Sequence, residues 1–374
     1  MLDLWNTLQQ WFTQDLHDIP DEPWPPADIP GISPDDLTRL WHRSDILDPS
    51  ALAHILWFGL RAGQAGWTVA RCDDWHATVL PQAQSPAGER RIALFHEIWR
   101  SGLQQFDGQP GNSHYHQGIM DLLSAMAQQH VQAYYQPVIE TTTGRVHSAE
   151  ALVRWNDHGR IRTPGEFLPM AQSAGLLALV DMLVWSQVLR DLPDFLAVLP
   201  TLSISINAGQ TPIEQAAWPA FLAEWRQHHG LAPYSVSIEV LESLLATTSL
   251  RQTLNVLAEH GFNIALDDFG TRTAMDLLGE ASIHTMKIDR SLIVAGSRNP
   301  RLSIIVQGLV TMAHDLGLDT VAEGVETADQ WQACMRWGID GIQGFLFAHP
   351  MPRADFIRFL QNSPCALPLQ AASG

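Results

Sequence analysis

The sequence is nearly without lysine: among 22 basic residues only Lys287 is one, and the rest are arginine. Cysteine is almost as scarce, with Cys72, Cys334 and Cys365 far apart and without a CxxC spacing, which argues against a disulfide framework or a cysteine zinc site. No uncharged apolar run reaches about 18 residues; the best stretches, ALAHILWFGL at 51–60 and AGLLALVDMLVW at 174–185, are too short or carry Asp181. The N-terminal MLDLWNTLQQWFTQDL has acidic residues where a signal peptide needs basic ones. A cytoplasmic chain with no membrane association is expected. Positive charge is the last scarcity: the formal net charge is -18. Such a surface repels nucleic acid and anionic lipid, so no DNA or RNA polymer is expected as a partner, and an anionic ligand needs local help such as a bound cation.

What is present divides at about residue 128. Eight of the 14 tryptophans precede it, with a proline-rich stretch PDEPWPPADIPGISP at 20–34 that suits neither helix nor central strand. Helical periodicity falls at 3–16, 34–46, 50–63 and 117–130, and GWTVARCDDWHATVLP at 66–81 reads as two strands turning at Asp73-Asp74. This predicts a small α+β sensory or regulatory module over 1–128, with an unidentified signal or protein partner. His114 and His116, in a polar loop over 107–116, have alternate spacing, but a lone HxH of this kind is more often solvated than ligating.

From 129 to 362 strands and helices alternate, and 363–374 reads as a flexible tail. Strand runs occur at 131–140, 145–155, 202–207, 235–240, 263–267, 284–289, 319–324 and 341–347, with helices at 178–190, 214–229, 248–260, 300–316 and 328–337. Eight strands with intervening helices predict an α/β fold, a TIM-type (β/α)8 barrel. Only TTTG joins the first two strands, so that pair should be antiparallel. A doubly wound sheet would need a glycine-rich phosphate loop that the early strands lack.

In a barrel, functional groups gather at the C-terminal strand ends. Those ends carry Glu150, Asn207, Glu239, Asp267 with Asp268, Lys287, Glu323 and Gln343. Five carboxylates on one rim cannot all stay ionised without cations. The donors are all oxygen, which favours Mg²⁺ or Mn²⁺ over zinc. Two adjacent aspartates can serve two ions, an arrangement suited to clamping a phosphodiester for in-line attack by water. Lys287 stands against the chain's own preference for arginine, where a compact ammonium is needed as a donor.

These residues carry a resemblance. SAEALVRW around Glu150 is similar to the signature of EAL domains, the phosphodiesterases that linearise the bacterial second messenger cyclic di-GMP. YYQP at 134–137, EFLPMA at 166–171, ISIN at 204–207, IEVLES at 238–243, LDDFGT at 266–271, MKIDRS at 286–291, VAEGVET at 321–327 and QGFLFAHP at 343–350 follow in order. The resemblance implies hydrolysis of cyclic di-GMP to linear pGpG with two Mg²⁺ or Mn²⁺ ions and inhibition by Ca²⁺. It implies that Glu150, Asn207, Glu239 and Asp267 hold one metal, with Asp267 shared and Asp268 on the second. Glu323 would act through a water on the metals, Lys287 would contact the nucleophile, and Gln343 would complete the site. Gln136 and Arg154 would hold guanine and phosphate. Glu242 would brace the loop after the Asp pair, a role tied to metal retention and to a homodimer. The family usually reads DFGTG where this chain has DFGTR, so Arg272 replaces a glycine and raises a second reading, a receptor that binds without turnover. A third reading is a scaffold for a protein partner.

Overall fold

The computed structural model describes residues 113–208, 230–242, 247–269 and 281–362, with parts of 53–100 and 219–229. Arg272, the helices read over 3–16 and 34–46, most of those over 50–63 and 214–229, and the tail 363–374 lie outside the described residues.

Among the described residues ten strands form one sheet: β1 (Val131–Glu140), β2 (Val146–Asp157), β3 (Arg160–Arg162), β4 (Ser203–Asn207), β5 (Val236–Leu241), β6 (Asn263–Phe269), β7 (Thr285–Ile288), β8 (Asp319–Ala322), β9 (Gly341–Ile342) and β10 (Met351–Pro352). From β2 the order runs through β4, β5, β6, β7 and β8 to β9 with every pair parallel. β9 then pairs antiparallel with β1, and β1 returns to β2, which closes an eight-stranded barrel. The short link between β1 and β2 is locked by the Glu140 N–H donating to Arg145 O at 2.9 Å. The barrel and its reversed first strand are therefore as the sequence predicts.

Barrel strands are covered on both faces and read as continuous apolar runs. Ile264, Ala265 and Leu266 of β6 and Met286 and Ile288 of β7 are all buried, so a polar residue inside such a run is conspicuous. Helices carry their own start signals. The helices that start at Arg290 and Pro300 follow Asp289 and Asn299, whose side chains accept from Ser291 and Arg301 N–H, both at 2.9 Å.

The described residues include nine helices: α1 (Val69–Val79), α2 (Ser113–Ala127), α3 (Pro164–Ser173), α4 (Leu177–Val198), α5 (Thr248–Glu259), α6 (Arg290–Arg298), α7 (Pro300–Asp315), α8 (Ala328–Trp337) and α9 (Arg353–Asn362). Helix α1 corrects the hairpin expected over 66–81. A two-residue hairpin turn needs positive φ at its centre, which glycine adopts far more readily than the aspartates of Asp73-Asp74. Instead Cys72 and His76 fall one helical turn apart, with Cys72 buried and the His76 ring stacked on His96 at 4.1 Å. His114 and His116 belong to the first turns of α2 rather than to a loop. The strand expected over 341–347 is only Gly341–Ile342, followed by turns. Helices α3, α6 and α9 were not anticipated.

Contacts divide the chain into two units. One comprises residues 1–132 with 153–186, the other 133–152 with 187–374. Within the first, α2 buries Ile119, Leu122, Leu123 and Met126, and Gly118 lets it approach α3 so closely that a Cβ would lie 2.7 Å from Met170 Sδ. Within the second lie all the strand-end residues described next.

Candidate active site

Lys287 is the penultimate residue of apolar β7, where alternation sends its side chain opposite to those of Met286 and Ile288. Its Nζ lies 3.2 Å from Glu150 Oε2, 2.9 Å from Glu239 Oε2, 3.2 Å from Asp267 Oδ1 and 2.6 Å from Glu323 Oε1. Four strands thus deliver four carboxylates to one buried ammonium. Asn207, paired in register with Glu239, donates Nδ2 to Glu150 Oε1 at 3.0 Å. Gln343 donates Nε2 to Glu150 Oε2 at 2.7 Å and to Gln136 Oε1 at 3.1 Å, while Gln136 donates to Ala348 O at 3.0 Å. Eight of the predicted residues therefore form one connected cluster.

Asp268 joins it by a backbone device. In a regular strand Asp267 and Asp268 would face opposite sides. The pairing of β6 with β7 slips between Leu266 and Phe269, and Asp268 has φ +56°. This bulge brings carboxylate oxygens of Asp267, Asp268 and Glu323 within 4.8 Å of one another. A left-handed conformation is uncommon for residues other than glycine, with Asn and Asp the most tolerant. Glu242 is buried just past β5. Arg154 lies in the first unit, where its Nη1 donates to Val153 O at 2.8 Å.

The electrostatics show a cluster short of positive charge. Burial pushes Lys287 down, but Glu150, Glu239, Glu323 and Asp267 together lift it well above its ordinary value, so it stays an ammonium. Burial raises Glu239 well above the carboxylate range, and Glu150 adds to this. Glu323 is pushed up to about 8 by burial, which prevails over the opposing pull of Lys287, with Asp267 and Glu150 adding to the rise. Burial, Asp267 and Asp289 likewise raise Asp268. Glu150 is instead held low: burial opposes it, yet Lys287 and the donors Gln343 and Asn207 prevail. One ammonium does not neutralise this set. Gln343 Oε1 is buried without a hydrogen bond, and Asp267 Oδ1 has only its 3.2 Å ion pair with Lys287. An oxygen-only donor set with spare lone pairs and carboxylates driven toward protonation fits a hard divalent cation.

The sequence reading missed Asp289, which caps α6 while its charge acts on Asp268. The available signal was its place two residues after Lys287, just past the strand end. Nothing in the sequence announced the bulge.

Residues 119–350 match the EAL domain, more than half of the chain. The chain belongs to the EAL domain family. EAL relatives include the probable cyclic di-GMP phosphodiesterase PdeB of Escherichia coli, 29% identical over 64% of this chain and 46% of PdeB. The cyclic di-GMP phosphodiesterase NbdA of Pseudomonas aeruginosa is 30% identical over 64% of this chain and 31% of NbdA. The chain thus spans less than half the length of these curated EAL relatives. Among solved EAL structures, the PaMucR phosphodiesterase in complex with c-di-GMP is similar with a TM-score of 0.59 and 28% identity, covering 64% of this chain and 99% of that one. The EAL tripeptide here is Glu150-Ala151-Leu152, on β2. No helix among the described residues is long and apolar enough to cross a membrane.

Proposed function

We propose that this EAL chain is a metal-dependent phosphodiesterase that hydrolyses cyclic di-GMP to linear pGpG. The observation that carries the reading is the Lys287 cluster, in which carboxylates from β2, β5, β6 and the end of β8 converge on one cation inside a matched EAL region. Named relatives in the family act on or bind this nucleotide.

Glu150, Asn207, Glu239, Asp267 and Asp268 would hold two Mg²⁺ or Mn²⁺ ions. Bound there, the ions supply Lewis-acid stabilisation of the phosphodiester and of its attacking and leaving oxygens. The chain's own groups do the rest. Lys287, kept protonated by its four partners, donates from Nζ to the attacking water or to charge developing on the phosphoryl oxygens, and does not serve as a base. Glu323, whose proton affinity burial has raised into the neutral range, can take up a proton at Oε1 or Oε2 as water adds. Gln343 orients Glu150, and Gln136 holds Gln343. In the reaction a water oxygen forms a new bond to phosphorus, one ring P–O bond breaks, and the freed sugar oxygen takes a proton.

The residues before the EAL match are assigned a regulatory role, acting through a homodimer on metal retention by way of Glu242. Incubation of the full chain with cyclic di-GMP and Mn²⁺ in ¹⁸O-labelled water tests the reading. One ¹⁸O should enter the terminal phosphate of pGpG, and Ca²⁺ should stop the conversion. Binding of cyclic di-GMP without any product would move the assignment to a receptor.

A further inference from the structure

Arg290 opens α6 three residues after Lys287 and crosses to the turn that follows Glu323. Gly324 has φ +62°, and a Cβ there would lie 2.6 to 2.8 Å from Arg290 Cγ, Cδ and Cβ. The aliphatic stem of Arg290 therefore rests directly on the Gly324 backbone. Beyond it, Nη2 donates to Glu326 Oε2 at 2.9 Å. One side chain thus spans the turn from residue 324 to 326.

That turn is fixed at other points too. The Glu323 N–H donates to Ile288 O at 3.1 Å, the Val325 N–H to Gln343 O at 3.1 Å, and the Glu326 N–H to Gln330 Oε1 at 2.7 Å. Gly324 is the flexible link among them, because glycine reaches other backbone conformations at little steric cost. Arg290 occupies the space into which that backbone would move. Glu323 makes the shortest approach to Lys287 of the four carboxylates, 2.6 Å, so a small rotation at Gly324 displaces it from the cluster. As a surface ion pair alone Arg290 and Glu326 would contribute little, since the Arg290 side chain is 55% exposed. The covered glycine gives the contact its leverage.

We propose that Arg290 is a positioning residue for Glu323: its stem clamps Gly324 and its guanidinium anchors Glu326, which sets the angle at which the Glu323 carboxylate meets Lys287. The proposal rests on the reading that Glu323 serves hydrolysis. Arg290 itself does not touch substrate.

The test uses the full chain with Arg290→Ala, Arg290→Lys and Glu326→Gln, read by steady-state turnover of cyclic di-GMP with Mn²⁺, by thermal melting, and by hydrogen exchange of the Gly324–Glu326 amides without metal or substrate. Misplacing a group that acts only in the transition state lowers kcat and leaves KM alone, so Arg290→Ala should lower kcat about tenfold with KM within about twofold. The amides of the turn should exchange faster while the melting temperature moves little. Arg290→Lys, which keeps stem and charge, should recover most of kcat. Glu326→Gln should show a smaller change of the same kind, and it serves if Arg290→Ala does not fold. Unchanged exchange and unchanged kcat in Arg290→Ala would overturn the proposal, as would a loss of kcat no better in Arg290→Lys. If the unaltered chain shows no turnover, the hydrolase reading fails, while exchange in the turn still decides whether Arg290 holds it.

Discussion

Lys287 is where the chemistry and the composition meet. A compact ammonium can approach four carboxylates at 2.6 to 3.2 Å; a guanidinium spreads its charge over a plane and needs more room. Lys287→Arg keeps the charge, so its turnover, measured with saturating Mn²⁺, should fall at least about 100-fold. The raised carboxylates also make a prediction about pH. A group whose folded pKa exceeds its ordinary 4.5, as Glu323 does at about 8, binds its proton more tightly in the folded chain. Its contribution to stability is therefore full near pH 4.5 and lost as pH rises through about 8. Metal-free protein in EDTA should melt at progressively lower temperature across that window, and Mg²⁺ should remove or reverse the trend. Most of this site could be read from the sequence, because an ionisable residue closing an apolar run is rare enough to notice. Arg290 could not. Arginine is the chain's ordinary cation, and only the contact with Gly324 distinguishes it.

The bulge in β6 turns an awkward pair of aspartates into a site. Period-two alternation predicts opposite directions for Asp267 and Asp268, and the slipped register with Asp268 at φ +56° overrides it. Asp268→Asn separates backbone from charge, since asparagine also tolerates the left-handed region. Burial and Asp267 already disfavour ionised Asp268. The variant should therefore melt no lower than the unaltered protein in EDTA, yet lose at least about 100-fold in turnover; a drop in both would mean the carboxylate supports the fold instead. Sequence periodicity served the long barrel strands well, because burial on both faces leaves them uninterrupted. It failed within 66–81, where Val69–Val79 form α1. Short mixed runs of β-branched, aromatic and polar residues fit either period, and the absent glycine at Asp73-Asp74 was the overlooked clue.

Composition alone reads residues 1–128 as a module apart from the barrel. The EAL match begins at 119, inside α2, and α2 packs on α3 through Gly118 and Met170 within one unit. Chains starting at 113 and at 129 should therefore behave differently. The first keeps α2 with its buried Ile119, Leu122, Leu123 and Met126 and should melt near the full chain's temperature. The second exposes the apolar face that α2 covers and should melt several degrees lower or aggregate. The strong negative charge gives the molecule its need for cations at an anionic ligand, and the Lys287 cluster gives that need an address. The decisive measurement is formation of pGpG from cyclic di-GMP by the full chain at saturating Mn²⁺, with an EDTA control. Steady conversion that stops in EDTA and is lost in Lys287→Arg is the predicted result. Saturable binding of cyclic di-GMP with no pGpG at any metal concentration would contradict the account.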